Sequence, residues 1–262
     1  MKEDILQTII AHKRREIEAQ EQAVSLSALE ALLDTPMPGI SMKQALRQSP
    51  FGIIAEFKRR SPSKDWIHRN AQTEVIAPAY QQAGASALSV LTDEPFFGGT
   101  LQDLQSCRSL VQLPLLRKDF IISPYQLFQA KLKGADAVLL IAACLTTGQC
   151  KELAHLAHEL QMEVLLEIHE ESELDHLNPH IDMVGVNNRH LGTFHTDVST
   201  SFQLSKLLPE ELTRVSESGL SQPETVKQLR EAGFHGFLMG EAFMKSPRPG
   251  EALYNFIQAL QA

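Results

Sequence analysis

Several short apolar runs in this sequence end on side chains that can move protons or hold anions. GIIAEF leads into Glu56, Lys58 and Ser61-Pro62-Ser63, and PLLR leads into Lys118-Asp119. EVLLE ends on Glu167, MVGVN on Asn187 followed by Asn188 and Arg189, TRVSE on Glu217, and GFLMG on Gly240 followed by Glu241. Glu56 and Lys58 are two positions apart, so in an extended chain both point to the same side. Glu167 follows Val164, Leu165 and Leu166, a context that predicts partial burial and a raised carboxyl pKa. A solvated rim accounts for any one of these groups taken singly. Carboxylates and two lysines brought to one opening would suit acid–base chemistry on an anionic substrate.

A second group of residues suggests what that anion is. Ser218-Gly219 and Gly240 each follow an apolar run and precede a helical pattern. Glycine lets the main chain approach a ligand closely, and backbone N–H groups at helix starts favour phosphate; an ordinary turn needing a left-handed residue is the plainer alternative. Lys58, Arg59, Arg60 and Lys64 crowd a single turn-like segment, either an anion site or a solvated loop. Trp66, the only tryptophan, falls in the same segment and is either a loop anchor or part of a lid over the substrate, the lid being the favoured expectation. His169 is expected to face away from Glu167, into a helix layer. His155 and His158 share a helical face, but no third ligand stands nearby in the sequence, so no metal site is expected.

These residues need a scaffold that puts strand ends side by side. Eight strand candidates occur in order: Gly52–Phe57, Ala87–Leu91, Pro114–Arg117, Asp136–Ile141, Glu163–Glu167, Met183–Asn187, Thr213–Glu217 and Gly236–Gly240. Each is short and apolar enough to be buried on both faces. Amphipathic stretches between them include Glu74–Ala83, Tyr125–Lys133, Thr147–Leu160 and Pro223–Ala232. Three end alike, in QQAGASA, KLKGADA and REAGFHG, each just before a strand, with glycine placed to end the helix. Repeated βα units with no reversal predict an α/β fold, a (β/α)8 TIM barrel, in which catalytic groups stand at the C-terminal ends of the strands. No Gly-x-Gly-x-x-Gly turn follows the first strand, which disfavours a dinucleotide site. Residues 1–22 place Ile5, Ile9 and Ile10 on one helical stripe, so residues 1–45 are expected to form a helical extension on a barrel of residues 46–262.

At 262 residues and 43% hydrophobic, the chain can bury one large core. A net charge of −8 opposes nucleic acid or an anionic membrane as the main partner. No apolar run is long enough to span a membrane, and the charged start MKEDILQTIIAHKRREIEAQ leads us to expect no signal peptide. The three cysteines, Cys107, Cys144 and Cys150, lie in apolar segments and are expected to be buried free thiols. Together these features predict a cytoplasmic protein, a monomer or weak homodimer, acting on a small molecule.

With those residues in view, the chain resembles indole-3-glycerol phosphate synthase along nearly its whole length. The resemblance is carried by IIAEFKRRSPSK (Ile53 to Lys64), SVLTDEPFFGG (Ser89 to Gly99), LPLLRKDFI (Leu113 to Ile121) and LLEIH (Leu165 to His169). It continues through VGVNNRHL (Val184 to Leu191), SESGL (Ser216 to Leu220) and FLMGEAFM (Phe237 to Met244). It implies conversion of 1-(o-carboxyphenylamino)-1-deoxyribulose 5-phosphate to indole-3-glycerol phosphate, CO2 and water, with no metal or organic cofactor. It further implies that Lys118 protonates the ketone and that Lys58, Glu56 and Glu167 share the second acid and base roles of dehydration, with Glu167 assigned as base and Lys58 as acid or anion anchor. Asn187 would orient a hydroxyl, Ser61 and Arg189 would hold the anthranilate end, and Phe120 would form an apolar wall. Ser218, Gly219 and Gly240 would surround the phosphate, Glu241 would be a further substrate-binding residue, and the N-terminal helix, with Ile5, Ile9, Lys13 and Glu16, would lie over the mouth. The chain departs from the pattern at Asp65, where relatives commonly carry glycine; aspartate costs little there unless the backbone is left-handed. The alternatives are a phosphoribosylanthranilate isomerase-like barrel, which would need a cysteine–aspartate pair, and a non-catalytic barrel that binds a phosphorylated metabolite.

Overall fold

The computed structural model describes residues 5–33, 35–190, 192 and 194–262. Residues 1–4 of the N-terminal extension and Leu191, the last residue of the VGVNNRHL match, lie outside them. The eight sequence-derived strands are all present: β1 (Ile53–Phe57), β2 (Ala87–Leu91), β3 (Leu115–Lys118), β4 (Ala137–Ile141), β5 (Glu163–Ile168), β6 (Met183–Asn187), β7 (Thr213–Glu217) and β8 (Gly236–Met239). They pair in parallel in chain order, and β1 closes on β8 with Ile53 opposite Phe237, so the sheet is a closed barrel. Ends differ from expectation by one residue, because pairing, not composition, sets them.

Two cores follow from the two faces of each strand. Ile54, Leu116, Leu165, Met183, Val215 and Leu238 fill the barrel interior. Residues of the opposite phase, such as Ile53, Leu115, Val164 and Val184, join the layer packed under the helices. Alternation at period two therefore carries Glu56, Lys118, Glu167, Asn187 and Glu217 onto the interior phase, above the apolar plug.

The N-terminal extension closes both ends. Helix α1 (Ile5–Ala23) presents Ile9, Lys13 and Ile17 inward, and Ile9 joins the interior core. Lys13, 1% exposed, meets Asp93 at 2.9 Å and Asp119 at 3.1 Å, which ties the helix to the strand ends. After the short α2 (Leu26–Ala31), α3 (Met42–Gln48) buries Met42 and Leu46 against the opposite end of the barrel. Outer helices include α4 (Thr73–Ala83), α5 (Glu94–Phe97), α6 (Leu101–Leu110), α7 (Pro124–Leu132) and α8 (Thr147–Glu159). They continue with α9 (Ser199–Leu204), α10 (Pro223–Glu231), α11 (Glu241–Met244) and α12 (Pro249–Gln261). The recurrent glycines after α4, α7 and α10 are left-handed, at φ 99°, 83° and 93°. Among the described residues, no helix is long and apolar enough to cross a membrane.

Candidate active site

A cavity of about 610 Å³ opens at the C-terminal ends of the strands. Its lining includes all the residues assigned from sequence: Glu56, Lys58 and Ser61 from β1 and its loop; Lys118 and Phe120 from β3; Glu167 from β5; Asn187 and Arg189 from β6; Ser218 and Gly219 after β7; and Gly240 and Glu241 after β8. Ile5, Leu6 and Ile9 of α1 border it from above. Phe120 packs 6.0 Å from Phe97, giving the cavity one apolar wall.

Charge is concentrated at the floor. Lys118 Nζ lies 3.0 Å from Glu167 and 3.6 Å from Glu217, and Lys58 donates to Glu56. Burial opposes the charge of Lys118, but Glu167, Glu217 and Glu56 outweigh it and hold the ammonium above the ordinary lysine range. The two acids then part company. Burial favours the neutral form of Glu167, yet Lys118 and His169 overcome it, so its pKa is lowered; the rise expected from its apolar neighbours is corrected by these partners. Glu217 is pushed up by burial and by the nearby Glu167 charge, only partly offset by Lys118. The two neighbouring carboxyls are thus moved in opposite directions, Glu167 down and Glu217 up. Glu217 was visible in the sequence as a strand end, but its bearing on Lys118 required the closed barrel.

Two glycines make room for these acids. A Cβ on Gly185, in the middle of β6, would stand 2.2 Å from Glu217 Oε1. One on Gly240 would stand 2.2 Å from Glu56 Oε2, so Gly240 makes room for the acids of the cavity floor as well as lining the rim. A glycine inside an apolar strand signals such close approach.

The basic run divides. Lys58 and Lys64 line the cavity, whereas Arg59 binds Asp103 bidentately at 2.7 Å and Arg60 binds Asp65 at 2.8 Å. Trp66 stacks with Arg60 and Arg69 and packs over Gly98, so it anchors the loop from outside and is absent from the cavity lining. Arg189 reaches Ser63 at 3.1 Å and Glu241 at 3.5 Å, joining three rim loops. Past the end of β7, Ser218 and Gly219 are both left-handed, at φ 65° and 76°. A left-handed serine costs about 1–2 kcal/mol, strain of a kind found at ligand sites. His169 departs from expectation most clearly. It turns toward Glu167, with Nε2 3.4 Å from Oε1, because positions 167 and 169 share a strand phase.

Cys107 and Cys150 are buried, and burial pushes their thiols up to about 12 and about 11. His155 and His158 meet His180 at ring distances of 4.8 and 5.3 Å, but no group of three or more such ligands among the described residues is arranged to hold a metal.

The comparisons agree with one another. The sequence model of the indole-3-glycerol phosphate synthase family matches residues 6–256. The chain is 59% identical to indole-3-glycerol phosphate synthase of Bacteroides thetaiotaomicron, over 98% of this chain and 99% of the relative. It is 41% identical to the enzyme of that name from Acinetobacter baumannii, over 95% of this chain and 93% of the relative. A mutant tryptophan synthase alpha-subunit from Pyrococcus furiosus superposes with a TM-score of 0.59 at 15% identity, covering 80% of this chain and 97% of that one, a likeness of fold. The chain belongs to the indole-3-glycerol phosphate synthase family.

Proposed function

We propose that this cavity carries out the decarboxylating ring closure of the family, with Lys118 as the acid at the ketone and Glu167 as the base. The ring carbon bearing the carboxylate attacks the ketone carbon, and the ketone oxygen takes a proton from Lys118 as its charge develops. Loss of CO2 returns the C–C bonding pair to the ring. Glu167 then removes a proton from the carbon next to nitrogen while the new hydroxyl leaves as water, protonated by Lys58. The carbon count falls by one as CO2, and one water is released, as the overall conversion requires.

Binding residues follow the shape of the cavity. The substrate phosphate lies at the left-handed turn Ser218-Gly219 and beside Gly240, where glycine lets main-chain N–H groups come near a ligand. Its aromatic ring lies against Phe120, with Arg189, Ser61 and Lys58 toward its carboxylate and Asn187 toward a sugar hydroxyl. Holding the substrate folded so that ring carbon and ketone meet supplies a large part of the acceleration.

The observation that carries this proposal is Lys118 Nζ held between two buried carboxyls on the cavity floor, 3.0 Å from Glu167 and 3.6 Å from Glu217. The purified protein incubated with 1-(o-carboxyphenylamino)-1-deoxyribulose 5-phosphate should produce indole fluorescence. Saturable binding with no product would instead favour the non-catalytic phosphometabolite-binding barrel. The isomerase alternative lacks support, since Glu56 and Lys58 occupy the first strand end and the buried Cys107 and Cys150 are outside the cavity lining.

A further inference from the structure

His169 lies just beyond the end of β5, outside the cavity, and is nearly buried at 12% side-chain exposure. Its ring stands between two carboxylates. Nε2 is 3.4 Å from Glu167 Oε1, and Nδ1 is 3.4 Å from Glu173 Oε2. Glu173, in a 3-10 turn over Glu171–His176, also accepts the backbone N–H of His169, so the ring and its outer partner are fixed together. On the other side of Glu167, Oε2 belongs to Lys118. Each oxygen of the Glu167 carboxylate is therefore matched to a separate cationic group.

We propose that His169 is a positioning residue for Glu167, an imidazolium clamped by Glu173 that makes Glu167, and not Glu217, the ionised acid of the pair. The proposal rests on the assignment of Glu167 as base. Its physical basis is the near-symmetry of the site without the histidine. Lys118 touches both acids at 3.0 and 3.6 Å, and a single ammonium shared by two buried carboxylates discriminates weakly between them. His169 contacts Glu167 alone of the two and breaks the tie. Burial opposes a charged ring, but Glu167 and Glu173 outweigh it and push His169 up to about 10, so the clamp stays charged across neutral pH. The charged and titratable groups around this pair are Lys118, Glu217, Glu56 and Lys58 on the cavity side and Glu173 on the outer side.

His169→Gln, His169→Ala and Glu173→Gln test the proposal through kcat, KM and the pH profile of indole formation. With the cation gone, Glu167 protonates more readily, so the acidic limb of kcat should move up by about one pH unit. The expected fall in kcat is about ten-fold or more for His169→Ala, with KM within about three-fold, because the ring touches no substrate. His169→Gln keeps a neutral donor and should recover part of kcat without restoring the limb. Glu173→Gln leaves the ring in place but loosens its clamp, so a smaller shift in the same direction is expected, and it serves should His169→Ala fail to fold. Profiles superimposable on that of the unsubstituted protein, or losses confined to KM and thermal stability, would overturn the proposal. Nitrogen NMR of the His169 ring reads the clamp independently of turnover. A ring charged at pH 7.5 supports it, and one that titrates like a free histidine overturns it. A protein inactive on the substrate yet with a charged ring would instead count against the assigned reaction.

Discussion

Lys118 on β3 reaches over β4 to place its ammonium 3.0 Å from Glu167 on β5. The two residues are 49 positions apart, and the parallel pairing of β3 and β5 on either side of β4 brings them together. The curvature of the barrel sets Glu217 of β7 3.6 Å from the same ammonium, so charged groups from three strands meet.

The protonated state of Glu217 has a consequence for stability. Its folded pKa is raised, so stability is fully present below the unfolded carboxylate pKa and is lost as pH rises through the folded value. Glu217→Gln mimics the neutral acid and removes that loss. The variant should match the parent near pH 4.5 and exceed it by on the order of 2 kcal/mol at pH 9. Urea unfolding at the two pH values checks this, and parallel pH dependences would contradict it.

Lys13 provides a test of how the N-terminal helix is held. Its substitution by methionine leaves Asp93 buried without its cationic partner, while Asp119 keeps Arg117 at 3.0 Å. An unpaired buried charge costs about 3–5 kcal/mol, so the denaturation midpoint should fall markedly. Because Asp119 adjoins Lys118, the activity of the remaining folded fraction should fall too. A midpoint unchanged within error would show that the network adds nothing.

Asp65 is left-handed at φ 54°, the condition under which aspartate in place of glycine is costly, and its pair with Arg60 at 2.8 Å is half exposed. Asp65→Ala keeps the strain and loses the pair, whereas Asp65→Gly loses both. The glycine variant should be more stable than the alanine variant by about 1 kcal/mol, as read from chemical denaturation. An alanine variant equal to glycine would mean the loop relaxes freely.

Gly185→Ala should displace Glu217, since the added Cβ would fall 2.2 Å from its carboxylate. The expected outcome is a loss of kcat of about ten-fold or more, with the fold retained by circular dichroism. Activity near that of the parent would show that the carboxylate has room to move.

Much of this molecule was legible in the sequence because its signals were local. Apolar strand runs, glycine stops such as Gly84 and Gly134, and the period-two phase of Glu56 and Lys58 need no knowledge of distant residues. The misplaced features depend on partners far along the chain. Glu167 is ionised because Lys118 and His169 meet it, which its apolar neighbours Val164 to Leu166 could not reveal. Trp66 anchors a loop because Gly98 lies against it, and the basic run splits because Asp103 claims Arg59. His169 is the exception. Its phase relative to Glu167 was local, and only the expectation that it belonged to the helix layer obscured it.

The most direct test is steady-state and binding measurement on Lys118→Ala beside the unsubstituted protein. If Lys118 protonates the ketone as the ring closes, kcat should fall by about 10²–10⁴-fold, while affinity for the phosphorylated substrate changes only a few-fold. Equal losses in turnover and affinity, or turnover close to that of the unsubstituted protein, would contradict its role as the acid.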